Sequence, residues 1–405
     1  MTRLIYKAQC LFIFILLISQ PAVASNKEAI MPSQTIVHET SHYTAARQGR
    51  YFVVTLKAPH QVLSTSDVNG GQNNDITSIV NFQSVEGNGH DNRFNHILNL
   101  TKRQYHQELA DRLDLDVEKL ASMGTAANIN NLVHVQKSFR DISVDAFVTA
   151  GVKGNALRAG DAARWYQADD GNEFVKDSGT INVILLVNRT LTPGAQTKAA
   201  VVVTEAKSAA LTELAIPSKQ SQHLATGTGT DQFAIASPIK SPLKTLDSAS
   251  GHLKLGELIG AAVREAVIEA ISVQNGLERS DTRSVIHALG RFGLTKKDLL
   301  SKLKERLNDE HFDLLKKNRR AVLSEPKLVA AAYAYASVLD RLEYGTLSTH
   351  LENDVLFDQA VNAAIALSGK SQDWQQFREY LVSTQNNKLD LFVQAIAIGW
   401  QAKWK

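Results

Sequence analysis

The sequence predicts a layered α/β or α+β domain followed by an all-helical C-terminal domain. Between residues 50 and 236, runs rich in β-branched and aromatic residues alternate with turn signals, which is typical of strands. Two long amphipathic helices follow strand-like runs and begin near Pro193 and Leu253. The remainder, residues 276–405, reads as successive helices with few strand signals. We therefore assign residues 50–275 to the layered domain and place its boundary at the Asn-Gly step that follows.

The N-terminus has the three parts of a secretory signal peptide. Arg3 and Lys7 make a short basic start, Cys10 to Ile18 is apolar, and a small-residue site ends at Ala24. The apolar run is about half of the ~20 residues that a spanning helix needs. We expect residues 1–24 to be cleaved after Ala24, leaving a periplasmic or secreted chain with no membrane span.

Composition limits the chemistry of the mature chain. The single cysteine, Cys10, lies in the signal segment, so the mature chain would have neither a disulfide nor a cysteine nucleophile. Removing Arg3 and Lys7 lowers the formal net charge by two, from +3 to +1. That balance gives no argument for binding nucleic acid or an anionic membrane surface.

Residues 25–49 are polar and irregular, and we expect an extended lead-in. The string HETSH, from His38 to His42, satisfies the pattern in which two histidines one helical turn apart bind zinc beside a general-base glutamate. A zinc-protease helix is apolar-periodic and lies inside a folded domain, whereas this string is near the mature N-terminus. We therefore predict no metal site, and a zinc hydrolase is the least favoured of the functions considered.

The first part of the layered domain contains strand runs and two helix-like runs. Asn69, Gly70 and Gly71 form a strong turn signal between two of the strands. The predicted strands are 51–56, 61–64, 76–82 and, more weakly, 131–135, and the predicted helices are 102–111 and 114–123.

The stretch Asp145 to Asp161, DAFVTAGVKGNALRAGD, runs from apolar residues through closely spaced glycines. We predict a strand, a tight turn and a helix N-terminus that carries Asn155, Arg158 and Asp161. Free backbone N–H groups at a helix start can bind a ligand, and glycines let it approach the main chain. The glycine spacing fits neither a Walker A loop nor a dinucleotide fingerprint, so a structural turn is the competing interpretation.

The second part of the layered domain alternates strands with long helices. Residues 179–188 have apolar side chains on both faces, as in a strand buried within a sheet. Thr192 and Pro193 supply a cap and first-turn proline for a helix reaching about Leu214. A turn and strand follow at 225–236. Further on, the predicted helices include one from about Leu253 and, in the C-terminal domain, 296–307, 326–342 and 374–382.

Six strings, taken together in order and spacing, are similar to one known family. They are VLSTSDVNGG (62–71), VTAGVKGNALRAGD (148–161), SGTINVILLVN (178–188), TEAKSAAL (204–211), ATGTGTD (225–231) and HLKLGELIG (252–260). Over roughly residues 50–270 the chain resembles the adenosylcobinamide amidohydrolase family, CbiZ.

The resemblance implies hydrolysis of one amide in a corrinoid. Family members cleave the bond between the aminopropanol arm and a propionate side chain of adenosylcobinamide, which yields adenosylcobyric acid for vitamin B12 salvage. The resemblance implies a corrinoid substrate that brings its own cobalt, no further cofactor, and a corrinoid uptake system as a candidate partner. Because family members are commonly cytoplasmic, an exported version leaves open whether the substrate is adenosylated or is a complete cobamide. A periplasmic corrinoid-binding protein without turnover is the alternative.

Amide hydrolysis needs a nucleophile, a base, an acid for the leaving amine and donors for the oxyanion. No G-x-S-x-G elbow is present, so attack by carboxylate-activated water or by a threonine or serine hydroxyl both remain open. The candidate catalytic residues are Asp161, Glu205 and Asp231 as bases, Thr180 as nucleophile, Lys207 as an electrophilic or orienting group and His252 as the acid. The candidate substrate-binding residues are Asn69, Gly70, Gly71, Thr149, Gly151, Asn155, Asn182, Thr226, Gly227, Thr228 and Gly229, whose glycines would admit a flat macrocycle.

Overall fold

The structure is a computed structural model that describes residues 33–84, 96, 99–163, 179–384 and 387–404. The predicted signal peptide and the start of the lead-in lie outside these residues. Within the described part of the chain, no helix is both long enough and apolar enough to cross a membrane.

The strands of the described residues form two large sheets and one small ribbon. In chain order they are β1 (Thr35–Glu39), β2 (Tyr43–Gln48), β3 (Tyr51–Leu56), β4 (His60–Ser64), β5 (Gly71–Asn73), β6 (Ser78–Gln83), β7 (Leu120–Thr125), β8 (Val133–Phe139), β9 (Ile142–Ala150), β10 (Ala156–Leu157), β11 (Ile181–Val187), β12 (Gly227–Thr228) and β13 (Gln232–Pro238). Sheet A has the order β1-β2-β3-β6-β7, and sheet B has the order β5-β4-β13-β11-β9-β8. The ribbon pairs β10 with β12.

The helices of the described residues fall into two groups, three within the sheet domain and a series after it. The first group is α1 (Lys102–Leu113), α2 (Pro193–Glu213) and α3 (Lys254–Asn275). The second group is α4 (Val285–Leu289), α5 (Lys296–Arg306), α6 (Asp309–Lys317), α7 (Arg319–Leu323), α8 (Pro326–Glu343), α9 (Glu352–Ser368), α10 (Trp374–Ser383) and α11 (Lys388–Ala402).

The first domain has four layers, and the alternation of side chains along the strands produces them. On β9, Phe147 belongs to the apolar core between the two sheets, whereas its neighbours Ala146 and Val148 belong to the core beneath α2 and α3. On the other side, Leu109 of α1 packs against the outer face of sheet A beside Val80. The order of layers is therefore helix, sheet A, sheet B and paired helices, which confirms the predicted layered fold.

The second domain is helical, as predicted: its described residues form helices and connecting turns without a strand, and they have their own apolar core around Tyr335 and Phe392. α3 ends at Asn275, and Gly276 closes it in a left-handed conformation (φ 62°) just before this region. Polar contacts connect the two domains. Arg158 Nη1 donates to the Tyr344 hydroxyl over 2.9 Å, and the rings of His223 and Tyr344 stack at 5.1 Å.

The predicted lead-in differs from the structure, because residues 35–48 form the hairpin β1–β2 of sheet A. Tyr43, Ala45 and Ala46 of β2 are buried against the core, while every residue of β1 is exposed or half-buried, which gives the segment its polar appearance. His38 lies in a strand, so the HETSH string does not form the zinc-binding helix of a metalloprotease. A histidine pair one helical turn apart needs a helix, and that hypothesis is wrong.

The second helix predicted at 114–123 is also wrong. Asp114 ends α1 with a left-handed backbone (φ 53°), and after a short 3₁₀ turn the chain enters β7. β7 pairs in parallel with β6, and its Leu120 and Met123 are buried. The sequence of this segment has partial helical periodicity, but in the structure the segment is a strand with buried residues on both faces. A short apolar run does not distinguish such a strand from a helix.

Candidate functional site

Five of the six family-like strings meet at one edge of sheet B, the edge where its central strands begin or end. Asn182, near the start of β11, is the register partner of both Thr149 on β9 and Gln232 on β13. On the far side of β13, Ala234 pairs with Ser64, so the turn after β4 reaches the same edge. β11 and β13 begin at this edge whereas β4 and β9 end there, which gathers chain segments far apart in sequence.

An ion pair between Lys207 and Asp231 lies at the centre of this edge. Lys207 Nζ, in the middle of α2, is 2.5 Å from Asp231 Oδ2, and both side chains are 14% exposed. Asp231 Oδ2 also accepts from the backbone N–H of Thr228 (2.9 Å), and Oδ1 accepts from the Thr228 hydroxyl (2.5 Å) and the Ile181 N–H (3.0 Å). The carboxylate therefore joins α2, the 227–231 loop and the start of β11.

Packing explains why Gly227 and Gly229 of the 227–231 loop are glycines. A Cβ atom on Gly227 would lie 2.4 Å from Asp231 Oδ2 and 2.8 Å from Lys207 Nζ. At Gly229 a Cβ atom would lie 3.0 Å from Asn155 Oδ1. The absent side chains let the loop close over the ion pair and over Asn155, so their presence does not by itself imply a ligand.

Thr180 and Asn155 hold the chain segment before β11. The Thr180 hydroxyl donates to the Thr230 carbonyl over 2.6 Å, and only 4% of this residue is exposed. Asn155 Nδ2 donates to the Gly179 carbonyl over 3.1 Å. A peptide carbonyl cannot accept the proton of a nucleophile, so the contacts of Thr180 do not activate its hydroxyl.

A buried polar chain connects the two sheets next to this edge. Asn81 Nδ2 donates to the Thr149 hydroxyl over 2.9 Å, and Asn182 Nδ2 donates to Asn81 Oδ1 over 3.0 Å and to the Gly124 carbonyl over 2.9 Å. Asn81, Thr149 and Asn182 are at most 1% exposed. They fix the relative position of the sheets and do not face solvent. Asn81 was missed by the sequence analysis, although an amide inside an apolar strand run was a usable signal.

The stretch 151–161 forms turns and β10, so the helix predicted there is wrong. β10 pairs with β12, placing Ala156 opposite Thr228. Two neighbours, Gly151 and Thr226, join the segment to its surroundings: the Gly151 N–H donates to the Thr180 carbonyl (2.9 Å), and Thr226 Oγ1 accepts from the Ala159 N–H (2.8 Å). Pairing with a distant ribbon strand is not visible in a local helical pattern.

Asp161 closes a turn at the end of that stretch. Its Oδ2 accepts from the Arg158 N–H (2.8 Å) and from the Ser218 hydroxyl (2.6 Å). Burial raises the pKa of Asp161, but these hydrogen bonds outweigh it, so the pKa lies below its ordinary value. The carboxylate is ionised and weakly basic at neutral pH, which fits a structural turn better than a general base.

The Asn-Gly-Gly turn follows β4, as predicted, but it leads into a short strand that was not predicted, β5, which begins at Gly71. Asn69 adopts a left-handed backbone (φ 58°), and its Nδ2 donates to the carbonyls of Val117 (2.8 Å) and Leu120 (3.0 Å). A Cβ atom on Gly70 would lie 2.0 Å from the Ser66 carbonyl oxygen. Gly71 has a positive φ of 79°. The turn is thus tied to the start of β7.

Two predicted catalytic residues lie away from the ion pair. Glu205 is exposed. It lies two residues before Lys207 on α2, which is a rotation of about 200° around the helix axis, so it is on nearly the opposite side of the helix. His252 is exposed and precedes the N-terminus of α3. The opposite end of that 22-residue helix, about 33 Å away, contacts the 151–152 turn through the hydrogen bond from the Val152 N–H to Asn275 Oδ1. The structure does not bring His252 to the site.

The sequence profile of the family described as adenosylcobinamide amidohydrolase, CbiZ, matches residues 33–279. The chain belongs to the CbiZ family. The match begins with the hairpin β1–β2 and ends just after α3, so the helical region lies beyond it.

Two individual proteins are similar to this CbiZ family member. An uncharacterized protein from Methanocaldococcus jannaschii is 37% identical over 186 residues, which cover 44% of this chain and 72% of the relative. The crystal structure of the PH0078 protein from Pyrococcus horikoshii OT3 matches with a TM-score of 0.27 and 10% identity, over 60% of this chain and 84% of the other. A structural likeness this weak supports no conclusion about fold or function.

Proposed function

We propose that this CbiZ family member is an exported amidohydrolase that cleaves the aminopropanol amide of a cobinamide-type corrinoid, giving cobyric acid. Family membership supports the reaction class, and the meeting of five family-like strings at one sheet edge supports the location of the site. In the reaction, water supplies a hydroxyl group to the carbonyl carbon. The C–N bond breaks, and the amine nitrogen takes up the remaining proton.

The observation that carries the assignment of the site is the contact between the Thr228 hydroxyl and Asp231. The Thr228 Oγ1 atom lies 2.5 Å from Asp231 Oδ1, while Lys207 binds Oδ2. A hydroxyl that donates a hydrogen bond to an oriented carboxylate can give its proton to that carboxylate as it attacks, which is how enzymes activate such nucleophiles. We therefore place Thr228 as the nucleophile, Asp231 as its base and Lys207 as the group that orients the carboxylate.

In this scheme the Thr228 oxygen attacks the amide carbon, and its proton moves to Asp231 and then to the departing aminopropanol nitrogen. The resulting ester is hydrolysed by water, which restores the Thr228 hydroxyl. Thr228 is 8% exposed, so the 227–231 loop has to open for a substrate carbonyl to reach it. Asp231-activated water is the competing route through the same carboxylate.

One observation favours the alternative of a corrinoid-binding protein without turnover. The two oxygens of Asp231 accept four hydrogen bonds from Lys207, Thr228 and Ile181. All four donors belong to the chain itself, so the contacts of this carboxylate are explained by its position between α2, the 227–231 loop and β11. A site that kept this arrangement only to shape a pocket would bind the corrinoid and leave the amide intact.

The decisive experiment incubates purified chain lacking residues 1–24 with cobinamide, adenosylcobinamide and cobalamin in separate reactions. Mass spectrometry should detect cobyric acid and the released amine from at least one of them. Corrinoid absorbance that co-elutes with the protein without any product would support the binding alternative. The absence of both product and binding would contradict the proposed function.

Export is tested separately from activity. We expect the full-length chain to lose its first 24 residues in a bacterial host and to be recovered from the periplasm or medium, because of the predicted signal peptide. N-terminal sequencing should begin at Ser25. Recovery of the unprocessed chain from the cytoplasm would contradict export and leave the amidase proposal standing. A corrinoid uptake system remains a predicted partner.

A further inference from the structure

Two histidines and an aspartate meet where the edge strands of the two sheets lie over each other. His38 is on β1, at the edge of sheet A, and His134 is on β8, at the edge of sheet B. Asp145, on β9, is a register partner of the residue two positions beyond His134 on β8. One potential ligand atom from each of the three residues lies within 4.8 Å of the other two.

The distances suit a small tetrahedral cation. His134 Nε2 is 2.9 Å from Asp145 Oδ1, and His38 Nε2 is 3.7 Å from the same oxygen. Ligand atoms about 2.0–2.2 Å from a tetrahedral zinc ion are roughly 3.4 Å apart. The two observed separations lie on either side of that value, so the His134 nitrogen would withdraw from Asp145 by about 0.5 Å and the His38 nitrogen would approach it by about 0.3 Å. The ligand atoms of the two rings, which lie within 4.8 Å of each other, would adjust to the same spacing.

The cluster contains an unsatisfied polar atom. His38 Nε2 is buried and makes no hydrogen bond to any part of the chain that the structure describes, and a buried polar atom left without a partner costs free energy. A metal ion bound at this nitrogen would replace the missing hydrogen bond. The same ion would neutralise Asp145, whose side chain is only 7% exposed.

The groups around the cluster hold its members in place. The ring of Phe147 stacks on His134 with centroids 4.3 Å apart and planes 10° apart, which fixes the orientation of the imidazole. Gln136 Nε2 donates to Asp145 over 2.9 Å. Such supporting contacts are typical of metal ligands.

We propose that His38, His134 and Asp145 bind a divalent transition metal ion, zinc in preference, with water in the fourth position. Two imidazoles and one carboxylate form a donor set that zinc accepts. The proposed hydrolysis of the corrinoid amide does not require this ion. Four residues of β9, about 13 Å, separate Asp145 from Thr149, so the ion would lie away from the Lys207–Asp231 edge. Its role would be to fasten the edge strand β1 to sheet B.

The test uses the untagged chain after chelator treatment and dialysis, reloaded with zinc chloride. Elemental analysis should find one zinc per chain, and calorimetry should show the melting temperature rising by several degrees. Cobalt(II) chloride, added without corrinoid, should give visible d–d absorption. His38→Ala and His134→Ala should each lower zinc affinity at least tenfold. His38→Ala is the safer variant for folding because β1 is an edge strand, and circular dichroism should confirm that both variants are folded.

His42→Ala is the matched control, because it removes the other histidine of the HETSH string. His42 packs against His60, with ring centroids 6.3 Å apart, and is not part of the cluster. Zinc binding and the melting shift should be unchanged in His42→Ala. The proposal is overturned if the wild-type chain takes up no stoichiometric zinc, or if His42→Ala loses the ion as completely as His38→Ala. The result is independent of corrinoid hydrolysis.

Discussion

At the scale of single residues, Thr228 and Thr180 differ in what their hydroxyls contact. Thr228 donates to the Asp231 carboxylate over 2.5 Å, whereas Thr180 donates to a backbone carbonyl over 2.6 Å. Thr228→Val should therefore lower kcat for cobinamide hydrolysis by at least about a hundredfold, because the nucleophile and its proton path are removed. Thr228→Ser should retain much of the activity. Steady-state kinetics on both variants is the measurement.

Thr180→Val provides the comparison at the same sheet edge. It removes a buried hydrogen bond and should lower stability by about 1–3 kcal/mol. The kcat of the folded fraction should fall far less than in Thr228→Val. Equal losses of kcat in Thr180→Val and Thr228→Val would contradict the assignment of Thr228 and restore the original prediction of Thr180.

Asp161 should affect acid stability more than chemistry. Its folded-state pKa is below the ordinary value of 3.8, so the stabilising contribution is fully present above that pH and is lost as pH falls through the folded-state pKa. Asp161→Asn should therefore flatten the decline of unfolding free energy below about pH 4. Urea denaturation between pH 2 and 6 measures this. An unchanged pH profile together with abolished turnover would instead make Asp161 catalytic.

At the scale of elements, the 227–231 loop depends on having no side chain at Gly227. Because a Cβ atom there would lie 2.4 Å from Asp231 Oδ2, Gly227→Ala should displace the ion pair and cost about 1–3 kcal/mol. Gly194→Ala, in the first turn of α2, is the matched control. Apart from its chain neighbours and the backbone of α2 itself, no heavy atom of the described residues lies within 4 Å of its added Cβ, so it should be neutral or stabilising by about 0.5–1 kcal/mol. Thermal unfolding of the two variants distinguishes them.

Elements with strong local signals were predictable, and those decided by distant pairing were not. Thr192 caps α2 through the Ala195 N–H, and Pro193 follows at the first turn, as the sequence indicated. β7 and β10 were mistaken for helical segments because their partners, β6 and β12, lie far away in the sequence. The edge hairpin β1–β2 was missed because no residue of β1 and only three of the six residues of β2 are buried, which leaves little apolar alternation in the sequence.

At the scale of the whole molecule, the candidate site was likewise only partly predictable from the sequence. Similarity to a family drew attention to Lys207 and Asp231, and the structure brings them within 2.5 Å. His252 came from the same reasoning but lies at the opposite end of α3, because a string can be shared for packing as well as for chemistry. The cluster of His38, His134 and Asp145 was invisible, since its members come from three strands in two sheets.

The two domains have separate apolar cores. In the first domain a core lies between sheet B and the helices α2 and α3, and the helical domain has its own core within α4–α11. Contacts described between the domains are largely polar, including the hydrogen bond from Arg158 to Tyr344 and that from Arg291 to the Gln222 carbonyl (2.5 Å). Arg291 also makes two 2.6 Å hydrogen bonds with Asp340 within the helical domain. Separate cores joined by polar contacts indicate domains that can fold independently.

A chain ending at residue 283 should therefore remain folded. It keeps Leu277, which packs against the sheet domain, and the turn at 279–282 that follows. Its near-ultraviolet circular dichroism should be that of an ordered protein, and it should unfold in one cooperative transition. Full-length Tyr344→Ala, which removes the stacking on His223, is the milder comparison and should leave both domains folded. Loss of ordered tertiary signal in the truncated chain would show that the helical domain is needed to complete the fold of the first.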